Sequence, residues 1–307
     1  MFSVVLAAGF AAASNFFMRR GIDSGGTAKA FIMIQMFVAL LVAMAMGPMQ
    51  ADAHIISGSI ALLGAAAGVF LVFMLTMLGK ALEHGPSGLT FSILSGATVF
   101  PGMIMAVLFG SSFGFIFNNW HAIGSILVLG GLFWAGKGLT GLRDRKRWML
   151  FVAAMFLCHI LILMIFQWRA LLLRLEYPEE LSSYFTSVAI RSPWFMPMLY
   201  LSASLIQIGL YLKTEKRIPS SMEWLNGAAG GVASCLCSFF LIRGTELAVG
   251  LENAVILPMY SIGVIVFSNL WSQCLYREQV NWRAAQICSL GLFIGTVDWT
   301  SVLALYF

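Results

Sequence analysis

The stretch WMLFVAAMFLCHILILMIF, Trp148–Phe166, directly follows the basic run RDRKR, Arg143–Arg147. Its residues are apolar on every side, with His159 alone interrupting them near the middle. A soluble helix would show a polar face at a period of about 3.6 residues, and this run has none. As a helix it spans about 30 Å, the thickness of a bilayer's hydrocarbon. A block of Lys and Arg at the edge of such a span is the mark of a membrane surface. The rest of the chain repeats the pattern. Further apolar runs lie at Phe2–Met18, Ala30–Gly47, Ile55–Gly79, Gly88–Phe109, Trp120–Gly136, Pro193–Leu212, Trp224–Ile242, Asn253–Leu275 and Ala284–Phe307. The chain has eighteen basic and thirteen acidic residues, and of these only Asp298 falls inside a run. A charge at mid-bilayer is strongly disfavoured, so this sorting treats lipid as the solvent. Composition agrees: 60 % of the 307 residues are apolar and 10 % charged, against about a quarter charged in soluble domains. The expected fold is an all-α membrane protein with ten transmembrane helices.

The placement of charge predicts an orientation. The odd-numbered connections hold fourteen of the eighteen Lys and Arg residues, among them Arg19, Arg20, Lys80, Lys146 and Arg217. The even ones hold Arg169, Arg174, Arg191 and Arg243. Cytoplasmic loops carry the basic excess, which sets the odd connections inside and both termini outside a cell (inner) membrane. The first span has no basic residue before it and two arginines after it, the reverse of a cleaved signal peptide. All five cysteines lie within spans, an odd number that argues against a disulfide framework. Cys235 and Cys237 read as small packing residues.

A division near residue 147 leaves five spans in each part, 1–147 and 148–307. An odd number of crossings turns equivalent helices upside down, the geometry of an inverted repeat. Weak internal likeness supports it. Gly79–Gly85 lays on Gly244–Gly250, each ahead of a span with a proline, Pro101 and Pro258. Gly124 and Gly131 lay on Cys288 and Gly295, after Asn119-Trp120 and Asn281-Trp282. The longest connection, Gln167–Ser192, carries Glu176, Pro178, Glu179 and Glu180 and has the length for a short interfacial helix.

Several stretches resemble one family. Ser14-Asn15-Phe16-Phe17 with Arg20-Gly21 closes the first span on small, polar and aromatic residues and an arginine. Gly79–Gly88, followed by Ser92, Ser95 and Pro101, forms a span junction leading into a proline-bearing helix. Leu275–Glu278 ends the ninth span, with Arg277 standing at a glycine position. Spread over essentially the whole chain, these features resemble the drug/metabolite transporter superfamily, most closely its EamA-like ten-helix members. The resemblance implies a central cavity between two halves and export or exchange of a small organic metabolite, such as an amino acid or related compound.

Polar groups within apolar spans mark the pathway such a carrier needs. At helical spacing Ser92, Ser95 and Thr98 share a stripe, as do Ser204 and Gln207, and Ser234 and Ser238; Tyr260 and Asn269 lie on the ninth span. Asn15, Gln35, Gln207 and Asn269 carry amides that must find partners in hydrocarbon. His159 is an ionisable group at mid-span, suited to bonding a substrate or coupling transport to protons. The expected substrate pathway is therefore Asn15, Gln35, Ser92, Ser95, Thr98, His159, Gln207, Ser238, Tyr260 and Asn269, with protons or a counter-substrate as the driving partner. Asp298 reads as interface-anchored, and Lys80, Glu83 and His84 as a solvated mouth. The sequence has no phosphate-cradling G-x-x-x-x-G-K-[ST], no H-E-x-x-H and no nucleophile elbow. Neither a cofactor nor nucleic acid is expected, and the chain does not read as an enzyme. Two rival readings are an intramembrane enzyme of lipid modification, for which His159 and Asp298 supply no cluster in sequence, and a non-transporting membrane assembly subunit.

Overall fold

The computed structural model describes residues 2–47, 56–109, 119–137, 144–174, 184–247, 251–277, 282–296 and 299–304. These residues are helical throughout, apart from short turns and connections. In chain order the helices are α1 (Phe2–Asp23), α2 (Ala28–Met46), α3 (Gly58–His84), α4 (Ser87–Gly96), α5 (Val99–Phe109), α6 (Asn119–Lys137) and α7 (Arg145–Arg174). There follow α8 (Ser187–Ile190), α9 (Phe195–Thr214), α10 (Ser221–Leu247), α11 (Leu251–Tyr276), α12 (Trp282–Thr296) and α13 (Trp299–Ala304). Seven stretches among the described residues are long and apolar enough to cross a membrane: α1, α2, α3, the α4–α5 run, α7, α9 and α10. The protein has the make-up of a multi-pass membrane protein. Its outward faces agree, since large apolar side chains such as Leu62, Ile126, Leu150, Leu157 and Leu205 are exposed, as lipid-facing residues must be.

Within the described residues the expected spans fall on helix, the tenth on both α12 and α13. Among them only the seven stretches above have the length and apolar character to cross a membrane, and two of those differ in detail from expectation. The sixth does not stop at Phe166; α7 continues to Arg174. Its continuation is anchored where Arg169 donates to Glu246 of α10 at 2.7 Å and lies over the Phe195 ring. The fourth is interrupted at Ala97-Thr98. Pro101 has no N–H to offer the carbonyl four residues earlier, and its ring crowds that carbonyl. The backbone there tightens to three-residue bonds, Ala97 N to Leu94 O at 3.3 Å and Thr98 N to Ser95 O at 3.2 Å. By contrast, α11 runs unbroken past Pro258. Glu176, Glu179, Glu180, Glu278 and Asp298 lie outside the described residues.

Packing is chiefly between the two parts of the chain rather than within each. α1 lies on α10 and α11, α2 on α9 and α10, α3 on α7 and α9, and α6 on α12. Gly-x-x-x-Gly pairs bring backbones together. On α3, a Cβ at Gly64 or Gly68 would run into Phe195, Leu199 and Ser202 of α9; on α10, one at Gly227 or Gly231 would meet Ile34, Gln35 and Val38 of α2. Gly124 of α6 fits against Gly295 of α12, and Gly131 against Cys288. Where α4–α5 meets α11, Thr98 Oγ1 lies 2.5 Å from Ser261 Oγ.

Helix ends sort into two groups. At one end Glu223, only 2 % exposed, ties three elements together. Its carboxylate accepts from Arg217 at 2.7 and 2.5 Å, from Ser220 N at 2.7 Å and from Thr27 N at 2.9 Å. Ser220 Oγ accepts from Glu223 N, completing a capping box for α10, while Thr27 Oγ1 caps α2 by accepting from Ala30 N. The carboxylate in turn holds the Arg217 guanidinium above its ordinary pKa. Arg19, bonded to Leu82 O, and the Arg145–Arg147 run before Trp148 lie at this same end, because Trp148 sits against Gly85 and Thr90. We term it the basic end. At the far end, Arg169 and Arg243 share Glu246, and Gly47 approaches Pro193.

Candidate functional site

Halfway along the helices lies a cavity of about 120 Å³. α1, α2, α3 and α4 from the first part of the chain line it together with α7, α9, α10 and α11 from the second. Its polar lining is Ser14, Asn15, Gln35, Ser95, His159, Ser234, Ser238 and Tyr260, and leucines, Phe166 and Val264 supply much of its apolar wall. None of the described residues lining it is Asp, Glu, Lys or Arg.

The interrupted fourth span builds one side. With Thr98 N turned to Ser95 O, the Leu94 carbonyl is left with a weak 3.3 Å partner, and His159 Nδ1 donates to it at 2.8 Å. A carbonyl only accepts, so Nδ1 carries the hydrogen, and Nε2 of the neutral ring is an acceptor. On the opposite side Gln35, 2 % exposed, donates from Nε2 to Ser14 Oγ at 2.8 Å, and Ser14 donates to Gly230 O at 3.3 Å. Gln35 Oε1 is buried without a partner. Between α9 and α10, Tyr200 Oη lies 2.8 Å from Ser238 Oγ and donates to Ser234 O at 3.2 Å. Tyr260 Oη lies 3.5 Å from Cys237 Sγ, which also faces the cavity.

Six of the ten residues expected on the pathway meet at this cavity: Asn15, Gln35, Ser95, His159, Ser238 and Tyr260. Ser92 lies on α4, and its side chain is outside the described residues. Thr98 sits between α4 and α11 on Ser261, and Gln207 donates to Thr76 Oγ1 of α3 at 3.1 Å; both serve helix contacts instead. Asn269 is buried on α11, away from the cavity lining. Ser14, Ser234 and Cys237 line the cavity although sequence reasoning did not select them. Ser14 stood within the quoted end of the first span and Ser234 on the small-residue stripe of the eighth, so helical spacing held the signal. Asn15 also opens on a second, small space toward the basic end, beside Arg19, Phe16 and Trp271, with the last two rings stacked at 5.3 Å. Among the described residues, no three His, Cys, Asp or Glu side chains gather as metal ligands would.

No family model and no curated protein matches the chain. Its fold is shared with a solved protein, a crystal structure that superposes with a TM-score of 0.62 at 13 % identity. The match covers 97 % of this chain and 98 % of that one. At such identity the likeness concerns fold alone, and it extends over the full length.

Proposed function

We propose that the protein is a secondary transporter of a small organic metabolite, akin to the EamA-like drug/metabolite transporters. It works by alternating access between two inverted five-helix repeats, 1–147 and 148–307, that cross the membrane ten times in all. The observation that carries this reading is the polar cavity halfway along the helices, lined from both parts of the chain. A carrier needs its site there, at the boundary of its repeats.

The pairing of helices supports the repeat. Let α1, α2, α3, α4–α5 and α6 correspond to α7, α9, α10, α11 and α12. Then α1 lies on α10 as α7 lies on α3; α10 meets α2 as α3 meets α9; and α6 meets its own counterpart α12. Gly124 on Gly295 and Gly131 on Cys288 is the reciprocal contact that a two-fold axis produces. Arg19, reaching the last turn of α3, corresponds to Arg169, reaching the last turn of α10. The concentration of Lys and Arg at the basic end favours a cytoplasmic placement for it, with both termini outside a cell membrane. Protons or a counter-substrate drive the cycle.

Uptake by proteoliposomes tests the proposal. A panel of amino acids, nucleosides, sugars and organic cations is offered under a pH gradient and under a counter-substrate gradient. Saturable uptake of at least one compound is expected, and none under either gradient contradicts the reading.

A further inference from the structure

The unpaired groups of the cavity say what they can bind. Ser14 commits its hydrogen to Gly230 O, so its oxygen must accept from Gln35 Nε2. That bond fixes which end of the amide points where, and it leaves Oε1, a pure acceptor, buried and unsatisfied. A buried polar atom without a partner is strongly disfavoured, and a bound donor relieves it. His159 adds a second acceptor, since its Nδ1 hydrogen is spent on Leu94 O and Nε2 offers a lone pair. Gln35 belongs to α2 and His159 to α7, so the two acceptors come from different parts of the chain. A formal charge entering here finds no opposite charge among the described lining residues, and an uncompensated charge in such surroundings is heavily penalised.

We infer that the cavity binds an uncharged organic molecule with at least two N–H or O–H donors on a compact apolar body, in preference to an anion, a cation or a zwitterion. This rests on the reading of the cavity as a cargo site, and it narrows that reading by disfavouring free amino acids. The volume of about 120 Å³ sets the scale. A pocket of about 150 Å³ holds benzene, so the apolar body has no more than about six non-hydrogen atoms. The hydroxyls of Ser95, Ser238 and Tyr260 can turn to either role, whereas Gln35 Oε1 can only accept.

Five probes test it on the full-length protein in nanodiscs, read by thermal unfolding. Resorcinol is neutral with two O–H donors; 1,3-dimethoxybenzene keeps the ring and has no donor; benzoate, benzylammonium and alanine carry an anion, a cation and both. Resorcinol is expected to raise the melting temperature by a few degrees at saturation, and the other four are expected to leave it unchanged. Gln35→Leu should shift the resorcinol midpoint roughly tenfold to higher concentration. The inference is overturned if benzoate, benzylammonium or alanine stabilises as well as resorcinol, if dimethoxybenzene does so, or if no probe stabilises at all. Unchanged binding by Gln35→Leu also overturns it, because Oε1 is the acceptor on which it rests. The probe comparison uses the unaltered chain, so a misfolded variant does not blunt it. Resorcinol binding without uptake of any metabolite leaves the inference standing and defeats the transport reading. Uptake of a charged metabolite without resorcinol binding does the opposite.

Discussion

At the level of single residues, His159 is held by the irregularity of a neighbouring helix rather than by another side chain. Its bond to Leu94 O is available because the interruption at Ala97-Thr98 leaves that carbonyl only a 3.3 Å partner in its own helix. Replacing His159 by Phe keeps the ring and removes both the donor and the free acceptor. Uptake, or resorcinol binding, should fall roughly tenfold, while stability changes by only about 1 kcal/mol, the net worth of one hydrogen bond. Equal loss of folded protein would assign the residue to packing. The glycines give a second contrast. Gly68 faces Ser202 and the Leu199 carbonyl with no room for a methyl group, whereas Gly9 has nothing within 4 Å of a Cβ. Gly68→Val should destabilise by about 2–3 kcal/mol. Gly9→Ala should stabilise by roughly 0.5–1 kcal/mol, because alanine is the better helix former. Melting temperatures of the two variants in one detergent decide this.

Among elements, the interrupted α4–α5 run and the brace at the basic end do different work. Pro101→Ala restores an N–H and permits a continuous helix, a gain of up to about 3 kcal/mol in helix terms. It also returns the Leu94 carbonyl to its own helix and away from His159. The expected result is a higher melting temperature together with slower uptake; faster uptake would show that the interruption is incidental. Glu223 binds α2, α10 and Arg217 together from a buried position, but Arg217 itself is partly exposed and can be rehydrated. Glu223→Gln should therefore destabilise by only about 1–2 kcal/mol, below the range for a fully buried pair. The measurement is again thermal unfolding, and Arg217→Gln should lower the melting temperature as well.

For the molecule as a whole, the apolar runs were legible because lipid imposes length and the exclusion of charge, two properties that one sequence displays. Asn15, Gln35 and His159 stood out for the same reason, as polar groups where few are tolerated. Thr98 and Gln207 carried the same signal and serve helix contacts, because spacing reveals the face a residue occupies and not the neighbour that face meets. Cys237 reached the cavity unannounced. Ser14 and Ser234, though named at the end of the first span and on a stripe of the eighth, were not singled out, since small residues look alike whether they pack helices or line a space. The two prolines looked equivalent, but only Pro101 breaks its helix. What brings Ser14, Gln35 and Gly230 together is contact between α1, α2 and α10, and no short stretch of sequence encodes that meeting. The proposed orientation has its own check: single cysteines at Ser24 and Lys216 should label from the cytoplasm and one at Tyr184 from outside, whereas labelling of Ser24 and Tyr184 from one face would invalidate the inverted arrangement.

The proposed transport cycle requires a mid-membrane site that opens to each side in turn. Ser95→Cys, in a background with the five native cysteines replaced, places one thiol in the cavity lining. Proteoliposomes of defined orientation are treated with a small membrane-impermeant thiol reagent added outside or loaded inside. Labelling from both faces is expected, slowed from both by a transported compound. Labelling from one face alone under every gradient, or from neither, would contradict it.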